Sequence, residues 1–191
     1  FSPHDIPEMY EAFGMPEFDK MYVKAENDPT IKKTIVDART LVMDLLKERA
    51  ETGRIYIMNI DHCNTHSSFK DKVFMSNLCQ EITLPTKPIQ HIDDPDGEIA
   101  LCILSAINVG NIKLEELEEL CDLSVRALEE IIDYQNYPVE AAEISTKARR
   151  SLGIGYIGLA HYLAKNKVKY EDKQALKLVD ELTEHFQYYL L

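Results

Sequence analysis

"EIALCILSAINVG", residues 98–110, is an almost unbroken apolar run of strand length, and its reading decides the class of the whole chain. Period alone does not separate a fully buried strand from a buried helix in so short a run. Its length is that of a strand, and as a strand it fits what surrounds it. Upstream, "RIYIMNI" (54–60) is short and carries Ile55, Tyr56 and Ile57, so it also reads as a strand. Between the two lies "MSNLCQEITLPTKP" (75–88), whose 78–84 portion reads as extended. Downstream, Leu117, Leu120, Leu123, Leu128 and Ile131 recur at helical spacing and predict a long amphipathic helix over Leu114–Tyr134. Strands buried on both faces and alternating with helices point to an α/β architecture.

The remaining segments extend that reading. "FSPHDIPEMYEAFGMPEF" (1–18) is rich in proline and turn residues and reads as loop with short helical turns. Asp28-Pro29 looks like an N-cap followed by proline, and Ile31, Ile35, Ala38, Val42, Leu45 and Leu46 predict a helix that Gly53 stops. "DHCNTHSSFKDK" (61–72) reads as polar loop, and three more helices are expected near 139–148, 155–166 and 172–191.

Composition bounds the function. The chain has 191 residues, which suits one domain or part of a larger one, and its 45% hydrophobic content is enough for a substantial core. A formal net charge of −12 argues against a broad nucleic-acid-binding face, which needs a basic stripe. No apolar run approaches the ~20 residues that cross a bilayer, and no signal-peptide pattern appears. Cys63, Cys79, Cys102 and Cys121 do not make a disulfide framework and fit a reducing cytoplasm, where a notable thiol is more often catalytic or redox-active. Phe1 in first place and a helical pattern still running at "EHFQYYLL" lead to the expectation of a piece of a larger protein, truncated at both ends.

Three candidate sites stand out. Asp61, His62, Cys63 and His66 offer zinc ligands, but no second pair occurs at ligand spacing, so a hydrogen-bonded loop is the better reading. Gly153, Gly155 and Gly158 in "GIGYIG" fit a dinucleotide-binding pattern, which has meaning only between a buried strand and a helix. The charged "EISTKARRSL" before it carries no convincing strand, so glycines easing a tight turn and close helix packing are preferred. Asn77, Cys79 and Glu81 form the third. On an extended backbone, residues two apart share a face, so an amide, a thiol and a carboxylate project into one small space. An inert core thiol needs no such neighbours.

"SNLCQEITLPT", "TGRIYIMNIDHCNTH", "GEIALCILSAINVG" and "RRSLGIGYIGLAHYLAK", in that order, resemble the large (catalytic, alpha) subunit of class I ribonucleotide reductase, over essentially the whole chain. The resemblance implies that residues 1–191 are a partial catalytic barrel domain, part of a ten-stranded α/β barrel with a central finger loop. It implies that Cys79 becomes a transient thiyl radical that removes hydrogen from C3′ of the ribose. By the same resemblance Glu81 takes the 3′-hydroxyl proton, and Asn77 hydrogen-bonds the sugar hydroxyls. Cys102 matches one member of the thiol pair that reduces the substrate; its partner is expected upstream of Phe1, and Cys63 and Cys121 are read as structural. The physical chemistry agrees: a thiol exchanges a hydrogen atom with carbon readily, a carboxylate within reach serves as base, and loss of the 2′-hydroxyl as water consumes two electrons that a dithiol supplies.

The implied activity is reduction of ribonucleotides, with "SNLCQEI" more like the diphosphate enzymes, and the chain alone is expected to be inactive. No cofactor is expected on this chain; the radical would come from a metal-containing small subunit. Other implied partners are the rest of the large subunit and its homodimer, thioredoxin or glutaredoxin as reductant, and the ribonucleotide, with no DNA, RNA or membrane. Two other readings remain: a nucleotide-binding module built on "GIGYIG", and a helical assembly module of a split protein.

Overall fold

The computed structural model describes residues 1–191 as two compact units, Phe1–Thr86 and Lys87–Leu191. The second unit is built around the run at 98–110. Ile103–Asn108 forms strand β1, which pairs in parallel with strand β2, Leu152–Ile157, in a register that sets Ile103 beside Leu152 and Asn108 beside Ile157. A parallel pair needs a long crossover. Here it comprises helices α5, Leu117–Tyr134, and α6, Glu140–Arg149. Helix α7, Leu159–Lys165, and helix α8, Lys173–Leu190, follow.

One sheet face is covered and the other is open. Leu117 and Cys121 of α5 pack with Leu182 and Phe186 of α8 against Ile107, with Ile154 and Tyr156 around them. The four-residue steps from Leu117 to Cys121 and from Leu128 to Ile132 place these buried side chains along one stripe of α5. Each apolar side chain so buried contributes about 1.5–3 kcal/mol. The alternate positions point the other way. There Leu104 is 60% exposed, Ile157 is 54% exposed, and Gly155 faces open space. Parallel strands with helices on one side are the arrangement of an α/β barrel wall.

The first unit carries four helices: α1, Glu8–Ala12; α2, Pro16–Asn27; α3, Ala38–Thr52; and α4, Ile60–Thr65. Ile6, Met9 and Ala25 form its small core with Phe1, Phe18, Met21 and Ile31 around them. No helix of the chain is long and apolar enough to cross a membrane.

Several sequence expectations are corrected. Residues 1–18 are more helical than expected, because Pro16 sits at the first helical position of α2 and starts twelve residues of helix. Asp28 does not cap a helix: its Oδ1 accepts from the Thr30 amide at 2.8 Å and hydroxyl at 2.6 Å, closing a turn. The helix begins only at Ala38, where Asp37 accepts from the Thr40 amide at 2.8 Å, while Gly53 ends it with φ of 66° as expected. Residues 54–59 form no ladder, since β1 and β2 pair only with each other. "IDHCNT" is helix α4 and not loop. The helix expected from 155 starts at Leu159, because "LGIGYI" is itself β2.

Candidate active site

The segment bearing Asn77, Cys79 and Glu81 is a tight loop, not a continuous extended strand. The Gln80 amide donates to the Asn77 carbonyl at 3.1 Å, so Leu78 and Cys79 occupy the middle of a turn. Gln80 itself takes a left-handed conformation, φ 63°. This corrects the alternation read from the sequence: a turn interrupts the two-residue period between Asn77 and Glu81.

The loop has a closed neck. Asn77 Oδ1 accepts from the Ile82 amide at 3.0 Å, and the Ser76 hydroxyl donates to the Ile82 carbonyl at 2.9 Å. Below the neck, Asn64 of α4 holds buried Val73 through both backbone groups, accepting from its amide at 2.8 Å and donating to its carbonyl at 2.9 Å. Buried Pro85 lies beyond the other leg. Asn64 and Ser76 were not singled out in the sequence, and nothing in "HCNTH" marks its asparagine as a backbone clamp.

The neck pushes the tip outward. Leu78 is 77% exposed, and Cys79 and Glu81 are exposed as well. Asn77 is half-buried with its carbonyl oxygen engaged, and its Nδ2 makes no hydrogen bond within the chain, so that donor is available to an incoming hydroxyl. No hydrogen bond joins Asn77, Cys79 and Glu81 to one another; the loop brings them within a few residues and leaves thiol and carboxylate facing out.

Cys102 lies in the other unit, one residue before β1 and not on the strand itself. It is half-buried, on the helix-free side of the sheet, close to Gly153. A cluster of charges anchors the segment leading to it. Glu98, its side chain 8% exposed, pairs with Lys87 at 2.6 Å and with Arg149 of α6. Burial alone would raise the Glu98 carboxyl, but hydrogen bonds and charge from Arg149 and Lys87 hold it below the usual glutamate range. The Ile99 amide adds a bond to the Ala141 carbonyl at 3.1 Å.

The other candidates separate cleanly. Cys121 is fully buried in the core around α5 and α8, and burial pushes its thiol up, away from the reactive thiolate. Cys63 sits half-buried on α4, and no three His, Cys, Asp or Glu side chains come together as a metal site. Gly153 and Gly155 lie within β2, whereas a dinucleotide loop places its glycines after the strand; only Gly158, φ 81°, forms the turn into α7.

Two parallel strands backed by helices on one face fit a piece of an α/β barrel wall, and sequence comparison shows the family. The family described as "Ribonucleotide reductase, barrel domain" matches residues 1–191. The chain belongs to that family. It is similar to the ribonucleoside-diphosphate reductase subunit alpha of Haemophilus influenzae, 58% identical over 197 residues, covering 100% of this chain and 26% of that protein. Its identity to the subunit alpha of Buchnera aphidicola subsp. Schizaphis graminum is 54%, and to the ribonucleoside-diphosphate reductase 1 subunit alpha of Escherichia coli 51%, again over 26% of each relative. Among solved structures, the class Id ribonucleotide reductase alpha subunit of Actinobacillus ureae superposes with a TM-score of 0.62 at 25% identity, covering 91% of this chain and 32% of that one. The chain thus spans about a quarter of the length of the curated relatives it matches.

Proposed function

We propose that this chain carries catalytic groups of a ribonucleoside-diphosphate reductase, as a partial barrel domain of its large subunit. The observation that carries the reading is the necked loop at 76–82, which holds Cys79 exposed at its tip with Glu81 beside it and the Asn77 donor at its base.

The roles follow from chemistry. A radical generated on a metal-containing small subunit would pass to the Cys79 sulfur, which takes the C3′ hydrogen of the ribose. Glu81 accepts the 3′-hydroxyl proton, which requires direct or one-water hydrogen-bond reach. The Asn77 Nδ2 donates to a sugar hydroxyl and orients the ring. Cys102 and a second thiol then lose two electrons and two protons and become a disulfide. The ribose 2′ C–O bond breaks, C–H replaces it, and water leaves; Cys79 returns its hydrogen to C3′ and Glu81 its proton to the 3′ oxygen, so both groups are regenerated. Electrons balance, and a dithiol protein such as thioredoxin or glutaredoxin restores the pair. The helix-free sheet face beside Cys102 supports this role, since in a barrel wall that side lines the interior. The small subunit, the rest of the large subunit and its homodimer complete the assembly, in a cytoplasmic setting suited to reduced thiols.

The test is to graft residues 1–191 into a complete large subunit and assay it with a small subunit. The wild-type segment should yield deoxyribonucleotide, and Cys79→Ser should bind ribonucleotide yet form none, since its O–H bond is too strong to yield a usable radical. Substantial turnover by Cys79→Ser would sink the radical assignment.

A further inference from the structure

A glycine inside a strand costs backbone entropy and often marks a close approach by another group. Gly153 is such a glycine. Its φ is not in the left-handed region, where Gly14, Gly53 and Gly158 lie, so backbone conformation does not demand it. Space does. A Cβ at Gly153 would lie 2.9 Å from the Cys102 sulfur and 2.5 Å from Leu104 Cδ2. Gly155 provides the internal comparison: two residues along the same strand face, its Cβ would meet nothing within 4 Å.

The two neighbours of Gly153 differ in how they can yield. Leu104 is largely exposed and can swing the end of its side chain into solvent. Cys102 has one side-chain torsion, so relief comes by leaving its rotamer, which carries the sulfur away from its present place. Disulfide formation is intolerant of such a move, because it needs Cβ atoms about 3.5–4.5 Å apart and a torsion near ±90°.

We propose that Gly153 is a positioning residue for the Cys102 sulfur: its bare Cα forms the slot that sets where this thiol meets its redox partner. The inference rests on the reading of Cys102 as a redox thiol. The reaction served is the one above, two thiols giving one disulfide while the ribose gains two electrons and two protons and loses water.

The experiment uses a complete large subunit carrying this segment, pre-reduced, with its small subunit and no added reductant. Deoxyribonucleotide formed and disulfide at Cys102, read by peptide mass, are followed together through a single turnover. Gly153→Ala should slow both by about 10- to 100-fold, the scale of an ångström-level misplacement. Steady-state KM for the ribonucleotide should stay within about 2-fold, placing the loss in the reaction step. Adding Leu104→Ala to Gly153→Ala removes the tighter contact, keeps the fold accessible, and should not restore the rate. Gly155→Ala should match wild type. Wild-type rates in Gly153→Ala, or full rescue by Leu104→Ala, would overturn the proposal, the latter assigning the glycine to packing of Leu104. Normal turnover in Cys102→Ser would instead overturn the redox reading of Cys102, so the two failures are distinguishable.

Discussion

The Asn77 side-chain carbonyl oxygen closes the neck onto the Ile82 amide, and the proposed function gives the Nδ2 a second job, binding a sugar hydroxyl. Substitution separates them. Asn77→Ala removes both, so the Ile82 amide should exchange about tenfold faster, corresponding to roughly one lost hydrogen bond. Asn77→Asp keeps the acceptor, so exchange at Ile82 should stay near wild type while ribonucleotide binding weakens. Equal exchange in all three proteins would show that Asn77 does not close the neck. Glu81→Gln keeps size and removes the base, so turnover in a grafted subunit should fall ~10²–10⁴-fold; a loss under tenfold would remove Glu81 from that role. The sequence pointed to all three residues through their alternation. The turn that interrupts it was not legible, because it depends on a left-handed Gln80 and on a side chain reaching five residues ahead, neither of which has a compositional signature.

Among the elements, helices were the most legible: α5 falls where apolar spacing placed it, and α6 and α8 lie near the expected 139–148 and 172–191. Strand β1 was also legible, within a longer apolar run. Strand β2 was not, since its glycines lower strand propensity and mimic a phosphate loop. What makes it a strand is its partner β1 and the core behind Ile154 and Tyr156, a tertiary cause. The start of α3 was missed because Asp28 and Asp37 both resemble caps, and only hydrogen bonding tells the turn from the cap. The Glu98 ion pairs make the stability of this segment depend on pH. A carboxyl held below its ordinary pKa adds stability above its unfolded value, and that contribution is lost as pH falls through the folded value. Glu98→Gln should therefore cost about 1.5–3 kcal/mol near neutrality. The melting-temperature gap to wild type should shrink as pH drops from ~6 to ~3. A gap independent of pH would mean that the ion pairs do not stabilise this segment.

At the scale of the molecule, one unit presents Cys79 on a necked loop and the other presents Cys102 on an open sheet face. Four sequence stretches in order were enough to point to the family, because each carries several chemically constrained residues. The division into two units was not legible, since it depends on which segments pack together and not on any linker composition. If Cys79 breaks the C3′–H bond, single-turnover reaction of a ribonucleotide deuterated at C3′ will show it, in a complete large subunit carrying this segment with its small subunit present. The wild-type segment should give a primary isotope effect, and Cys79→Ser should leave the C3′–D bond intact. Cleavage that persists in Cys79→Ser would remove the radical role from this thiol.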